Sequence, residues 1–150
     1  MGTLIAGNYD IVFSHPLYQS DTIFQVPLQN DSTTTLDLIM YSLTPLNLII
    51  ETKNSGSNSS LSSVDFSITN EDFTYNGTTD QNGLFTVNNL IPGSYNIYAG
   101  IWGKKDFCLE SFALIDDTSP FVISLEDGYQ DQFNLDMGWT VNSSAASGIL

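Results

Sequence analysis

The chain partly repeats itself, and the spacing of that repeat limits what it can fold into. Residues 4–11 read Leu-Ile-Ala-Gly-Asn-Tyr-Asp-Ile and residues 90–97 read Leu-Ile-Pro-Gly-Ser-Tyr-Asn-Ile, so Gly7 falls on Gly93 at an offset of 86 residues. The same offset puts Leu28 on Leu114 and Asp31 on Asp117. Further along, Leu36, Leu38 and Met40 answer to Phe121, Ile123 and Leu125 at an offset of 85. A one-residue length change in the loop between is therefore required, because a slip of one residue would turn every apolar side chain of a strand to the wrong face. A period of this length suits one small β-sandwich, not a short solenoid unit. On this reading residues 42–127 are one complete copy, residues 1–41 are the back half of another, and a third composition starts at residue 128 and runs to 150.

Within the complete copy, short alternating segments are divided by turn signals, and no window carries a helical period. Leu46–Thr52 is an apolar strand, and Lys53–Ser63 is a Ser/Asn/Gly-rich surface loop. Val64, Phe66 and Ile68 alternate and face inward, with Phe73 and Tyr75 continuing after a short turn. Asp80-Gln81-Asn82-Gly83 predicts a tight turn in which Gly83 takes a positive φ, returning the chain as Leu84–Val87. Ile91-Pro92-Gly93-Ser94 predicts a type II turn, with Pro92 fixing φ and Gly93 taking the positive φ that follows. Tyr95, Ile97 and Ala99 then share a face, and residues 107–114 and 121–125 complete about seven strands. The expected fold is all-β, a small antiparallel β-sandwich preceded by a partial copy and followed by the start of a further β module.

The pattern Thr79-Asp80-x-x-Gly83-x-Phe85 followed by Leu90-x-x-Gly93-x-Tyr95 resembles carboxypeptidase-regulatory-like (transthyretin-like) domains over roughly residues 46–127. The resemblance implies a prealbumin-like sandwich in which Asp80, Gly83, Pro92 and Gly93 shape turns and Tyr95 anchors the core. It also implies a secreted bacterial multidomain parent. The family's Gly-Tyr after the next strand is Gly103-Lys104 here, whereas Tyr18 stands at the matching place in the first copy. Residues 131–141, Asp131-Gln132-Phe133-x-x-Asp136-x-Gly138-Trp139-Thr140-Val141, look like the opening of a jelly-roll module that follows such domains.

Charge narrows the partners. Three basic residues against seventeen acidic ones give a formal charge of −14, so nucleic acid and anionic membrane surfaces are repelled. The single cysteine, Cys108, permits no internal disulfide and no Cys-based zinc cluster. Residues 1–7 lack the basic region and apolar stretch of a secretory signal, so an exported form is expected to carry its signal outside these residues. No segment approaches the length of a membrane span.

The candidate sites are few. His15, the one histidine, precedes Pro16 in a loop and has no triad around it in sequence. Asp116 and Asp117, with Asp106 and Glu110 upstream, could offer oxygen ligands to calcium, yet no Asp-x-Asp-x-Asp-Gly loop is present, and the recurrence of Asp117 as Asp31 favours a turn role. Asp131 and Asp136 are a weaker pair of the same kind. Trp102, between Gly100 and Gly103, either closes the end of its own core or, with Tyr98, forms a stacking platform for a sugar or a partner. Four Asn-x-Ser/Thr triplets, at Asn30, Asn58, Asn76 and Asn142, carry little weight in a chain this rich in those residues.

The expected function is that of a non-catalytic accessory module, outside the cell or on its surface, acting as spacer, stabiliser or interaction domain beside neighbouring domains of a larger protein. No catalytic residue and no cofactor is expected, calcium being the one candidate ion. A carbohydrate- or ligand-binding sandwich is the first alternative, and a piece of a secreted peptidase with its catalytic domain elsewhere is the second. Tyr9, Ile11, Phe13, Ile23, Val26, Leu28, Leu36 and Leu38 form an inward set with no covering strands among residues 1–41, which invites self-association.

Overall fold

Nine strands and no helix make up the described part of the computed structural model, which covers residues 5–117, 120–130, 132–136 and 138. The chain divides into two units, Met1–Pro45 and Leu46–Leu150. The second unit holds seven strands: β3 (Leu46–Asn54), β4 (Asp65–Thr69), β5 (Thr74–Thr78), β6 (Leu84–Leu90), β7 (Gly93–Gly100), β8 (Phe107–Leu114) and β9 (Phe121–Leu125). They form a three-stranded sheet, β6-β3-β9, and a four-stranded sheet, β5-β4-β7-β8.

Period-two alternation is what turns these segments into two facing layers. Leu48 and Ile50 of β3, Phe66 and Ile68 of β4, Ile97 and Ala99 of β7, and Ile123 and Leu125 of β9 are all buried in one cluster with Val64, Val87, Leu90, Tyr95 and Leu114. Full burial of each large aliphatic or aromatic side chain contributes about 1.5–3 kcal/mol, so the cluster is the main stabilising term. One pairing departs from an all-antiparallel pattern: β9 runs parallel to β3, from Ile50 opposite Phe121 to Asn54 opposite Leu125. Alternation alone does not specify direction; the chain has crossed both layers before β9 returns to the open edge of β3.

The turns obey different rules at the two glycines. Gly83 has φ +77°, and a Cβ there would lie 2.8 Å from the Thr52 carbonyl oxygen and 3.1 Å from the Leu61 nitrogen. Glycine is thus required both by conformation and by space. Gly93 does not take the expected positive φ; it opens β7 with an ordinary backbone, and a Cβ there would meet nothing nearer than 3.9 Å. The chain passes from β6 to β7 through Ile91 and Pro92 alone, while the left-handed Asn89, φ 60°, belongs to a bulge of β6 opposite Asn47.

The first unit contains a hairpin, β1 (Gly7–His15) and β2 (Tyr18–Leu28), followed by an extended segment. Its pairing recurs 86 residues later between β7 and β8. Gly7 faces Leu28 as Gly93 faces Leu114, Tyr9 faces Val26 as Tyr95 faces Phe112, and Ile11 faces Ile23 as Ile97 faces Leu109. Both hairpins bulge at the same place, where Gln25 (φ 55°) and Ser111 (φ 57°) each donate a backbone N–H to the side-chain oxygen of Asp10 and Asn96, at 2.9 and 3.0 Å. Tyr9 and Tyr95 each donate their hydroxyl to the carbonyl four residues back, at 2.7 and 2.8 Å. Past the loop, the Tyr18 to Ser42 bridge corresponds to Lys104 to Asp127, offsets of 86 and 85 on the two sides. The jelly-roll expectation for 128–150 falls largely outside the described residues, Asp131, Trp139 and residues 140–150 among them.

Candidate functional site

The end of the second unit where β7 passes into β8 gathers most of the unusual side chains. Gly103, φ +85°, turns the chain, and residues 126–130 run beside it: Gly128 donates its N–H to the Gly103 carbonyl, Lys105 to that of Glu126, and Asp106 to that of Gln130. Asp106 Oδ2 in turn accepts from the Gln132 N–H at 3.1 Å. Residues 126–130 and Gln132 are thereby fastened to the loop between β7 and β8.

Two ion pairs reinforce this fastening. Lys104, whose side chain is largely buried, donates to Asp127, which also accepts from Asn54 Nδ2 at 3.3 Å; Lys105 reaches Glu126 at 2.8 Å. The hydrogen bond and charge of Lys104 hold the Asp127 carboxyl below its ordinary range, and Lys105 does the same for Glu126. With the carboxylate of each pair in solvent, such pairs are worth about 0–1 kcal/mol each, so their role is register more than stability.

Trp102 stands at the apex, 64% exposed, and meets Tyr129, itself 78% exposed, edge to face with ring centroids 5.5 Å apart. It does not close the core beneath it. Tyr98, the other residue of the expected platform, sits in the middle of the sheet between Ser67 on β4 and Cys108 on β8. The aromatic neighbour of Trp102 is thus Tyr129, which sequence reading missed because it lies 27 residues further on, beyond β8 and β9. Asp127-Gly128, a turn signal directly before Tyr129, is the one local clue.

The remaining candidates have structural employment. Asp117 Oδ1 accepts the Asn47 N–H at 2.6 Å, tying the loop before β9 to the start of β3, while Asp116 is exposed. Among the described residues no group of three His, Cys, Asp or Glu side chains gathers as a metal site would need. His15 Nδ1 accepts the Leu17 N–H at 3.2 Å across the β1–β2 turn. Burial, and then the charge of Glu110, push the Cys108 thiol up, away from the thiolate a nucleophile needs.

At the same end, where β5 finishes level with the last residue of β7, Asp80 Oδ1 accepts the N–H groups of Asn82 and Leu84, both at 2.8 Å, and the bond from Leu84 foremost draws its carboxyl below the ordinary value. Two buried threonines, Thr52 and Thr79, have a role that the sequence did not disclose. Thr52 Oγ1 lies 2.7 Å from the Leu61 carbonyl and 3.2 Å from that of Gly83; Thr79 Oγ1 donates to Leu61 at 2.8 Å and accepts from the Val64 N–H at 3.0 Å. They satisfy the backbone of the long loop where it folds over the core. Thr52 continues the inward alternation of Leu48 and Ile50, and that was the available signal.

No family model matches the chain, and no curated protein matches it. Among solved structures it is similar to a streptococcal ancillary pilin, with a TM-score of 0.60 at 18% identity, covering 83% of this chain and 43% of the pilin. A Bacillus anthracis TIE protein also aligns, with a TM-score of 0.47 at 17% identity over 73% of this chain and 20% of that one. The chain therefore spans under half the length of these proteins, and the pilin likeness establishes the fold: an all-β sandwich.

Proposed function

We propose that this chain is a non-catalytic stretch of tandem β-sandwich modules of the carboxypeptidase-regulatory-like type, belonging to a bacterial protein displayed outside the cell, where it spaces and presents neighbouring domains. The observation that carries this reading is the recurrence, 86 residues apart, of the same hairpin register, the same bulge and the same tyrosine hydroxyl bond. Repetition of a whole hydrogen-bond pattern serves extension and not a single reaction centre. The pilin's name and fold supply the surface setting. An antibody raised against the chain is expected to label intact producing cells. Labelling only after lysis would sink the reading, and turnover in a broad hydrolase screen would sink its non-catalytic part.

The exposed Trp102–Tyr129 pair supports a second reading, stacking on a sugar ring. A glycan whose binding is lost on Trp102→Ala would favour it; a flat glycan array with the unaltered chain would dismiss it.

A further inference from the structure

We infer that β1 and the extended segment after β2 form an acceptor for a polypeptide segment of the β3–β4 pattern, an apolar alternation like that of residues 46–70. The inference rests on reading residues 7–43 as a copy of 93–128.

In the second unit β7 is paired on both sides, with β8 and with β4. Its equivalent β1 is paired with β2 alone among the described residues. The consequences show in burial. Tyr95, Ile97 and Ala99 are at most 1% exposed, whereas Tyr9, Ile11 and Phe13, at the same register positions, are only half-buried. The segment after β2 repeats the contrast. Phe121–Leu125 is a strand because β3 lies beside it, while Leu36, Leu38 and Met40 keep the inward alternation without any ladder. An unpaired edge and an apolar face thus lie open in one unit where they are filled in the other.

The repeat also dictates what fits. Transferring the β4–β7 register by 86 residues sets a Phe66-type residue opposite Phe13, an Ile68-type residue opposite Ile11 and a Thr69-type residue opposite Asp10, antiparallel to β1. Transferring β3–β9 by 85 sets an Ile50-type residue beside Leu36, in parallel. The chain's own β4 cannot serve, since β5 and β7 fill both its edges. β3 is likewise taken by β6 and β9. The occupant is thus a further segment of this pattern, joining by strand addition, with main-chain hydrogen bonds along β1 and alternate side chains seated between Tyr9, Ile11 and Phe13.

The test uses the full chain and a synthetic peptide of residues 46–70, with a control peptide carrying Phe66→Asp and Ile68→Asp. The unaltered peptide is expected to bind at least tenfold more tightly than the control and to slow amide exchange along residues 8–14. Ile11→Asp in the full chain should weaken binding at least tenfold, while Val12→Asp, on the opposite face of β1, should leave it within about twofold. Equal binding of the two peptides, or none, would overturn the acceptor. So would a concentration-dependent dimer of the full chain that slows the same amides without peptide, since a second copy would then be the occupant. Neither result depends on whether intact cells display the protein, so this proposal and the functional one fail separately.

Discussion

Gly83 and Gly93 occupy similar sequence contexts, and their substitution should separate conformational need from habit. At Gly83 any side chain must accept a left-handed backbone, costing about 1–3 kcal/mol, and must also push against the Thr52 carbonyl 2.8 Å away. Gly83→Ala is therefore expected to lower stability by at least that amount in denaturant titration. Gly93→Ala should change it by no more than about 0.5 kcal/mol, having an ordinary φ and open space. Equal losses would show that the two glycines do the same work after all. Tyr95 offers a prediction in pH. Burial, then the neighbouring Tyr75, push its hydroxyl up to about 12 from the ordinary 10.0. A pKa raised on folding means that its contribution is complete below pH 10.0 and is lost as pH climbs to about 12. Alkaline unfolding followed by tyrosinate absorbance should show that loss, and Tyr95→Phe should remove it while costing about 1 kcal/mol at neutral pH for the bond no longer made. Gly83 was legible from its turn tetrapeptide. Gly93 misled because Pro-Gly fits a type II turn locally, whereas Gly93 is already the first residue of β7 and keeps a strand backbone.

The hairpins β1–β2 and β7–β8 share register, bulge and tyrosine bond, so a matched pair of substitutions measures what the covering layer contributes. Ile97 is fully buried between the two sheets, and Ile97→Ala removes methylene groups from a packed core at a cost of about 2–5 kcal/mol. Ile11 holds the same position but is only partly buried, so Ile11→Ala should cost less than Ile97→Ala, about 1–2 kcal/mol. Amide exchange read separately for each unit is the suitable measurement, because the units need not unfold together. Similar costs at both positions would mean that β1 is covered as fully as β7. At this scale the sequence was most readable. Alternation marked Val64, Phe66 and Ile68 as inward, and β8 and β9 begin and end where the apolar runs do. Partners were less readable than elements. The parallel placement of β9 beside β3, the seating of Asp117 on Asn47 and the meeting of Trp102 with Tyr129 all depend on chain crossings that leave no local mark.

For the molecule as a whole, charge is the quantity that sequence states without ambiguity and that structure then qualifies. All three lysines are engaged: Lys53 with Glu51, Lys104 with Asp127 and Lys105 with Glu126. Seventeen acidic side chains stand against those three, so fourteen negative charges have no basic counterpart anywhere in the chain. Added salt acts on both populations. It weakens three surface pairs worth about 0–1 kcal/mol each, and it screens repulsion among the uncompensated carboxylates, with a screening length of about 10 Å at 0.1 M. Because the repelling charges far outnumber the pairs, screening of repulsion should win, and sodium chloride between roughly 0.01 and 0.2 M should raise the unfolding midpoint before levelling off. A flat or falling midpoint would show that the carboxylates are spread too widely to repel one another and that the three lysine pairs dominate. The same surplus predicts the sense of association: two such surfaces repel at low salt, so any face-to-face pairing through the open side of β1 must be strengthened by salt, whereas strand addition by a near-neutral segment such as residues 46–70 should respond weakly to it.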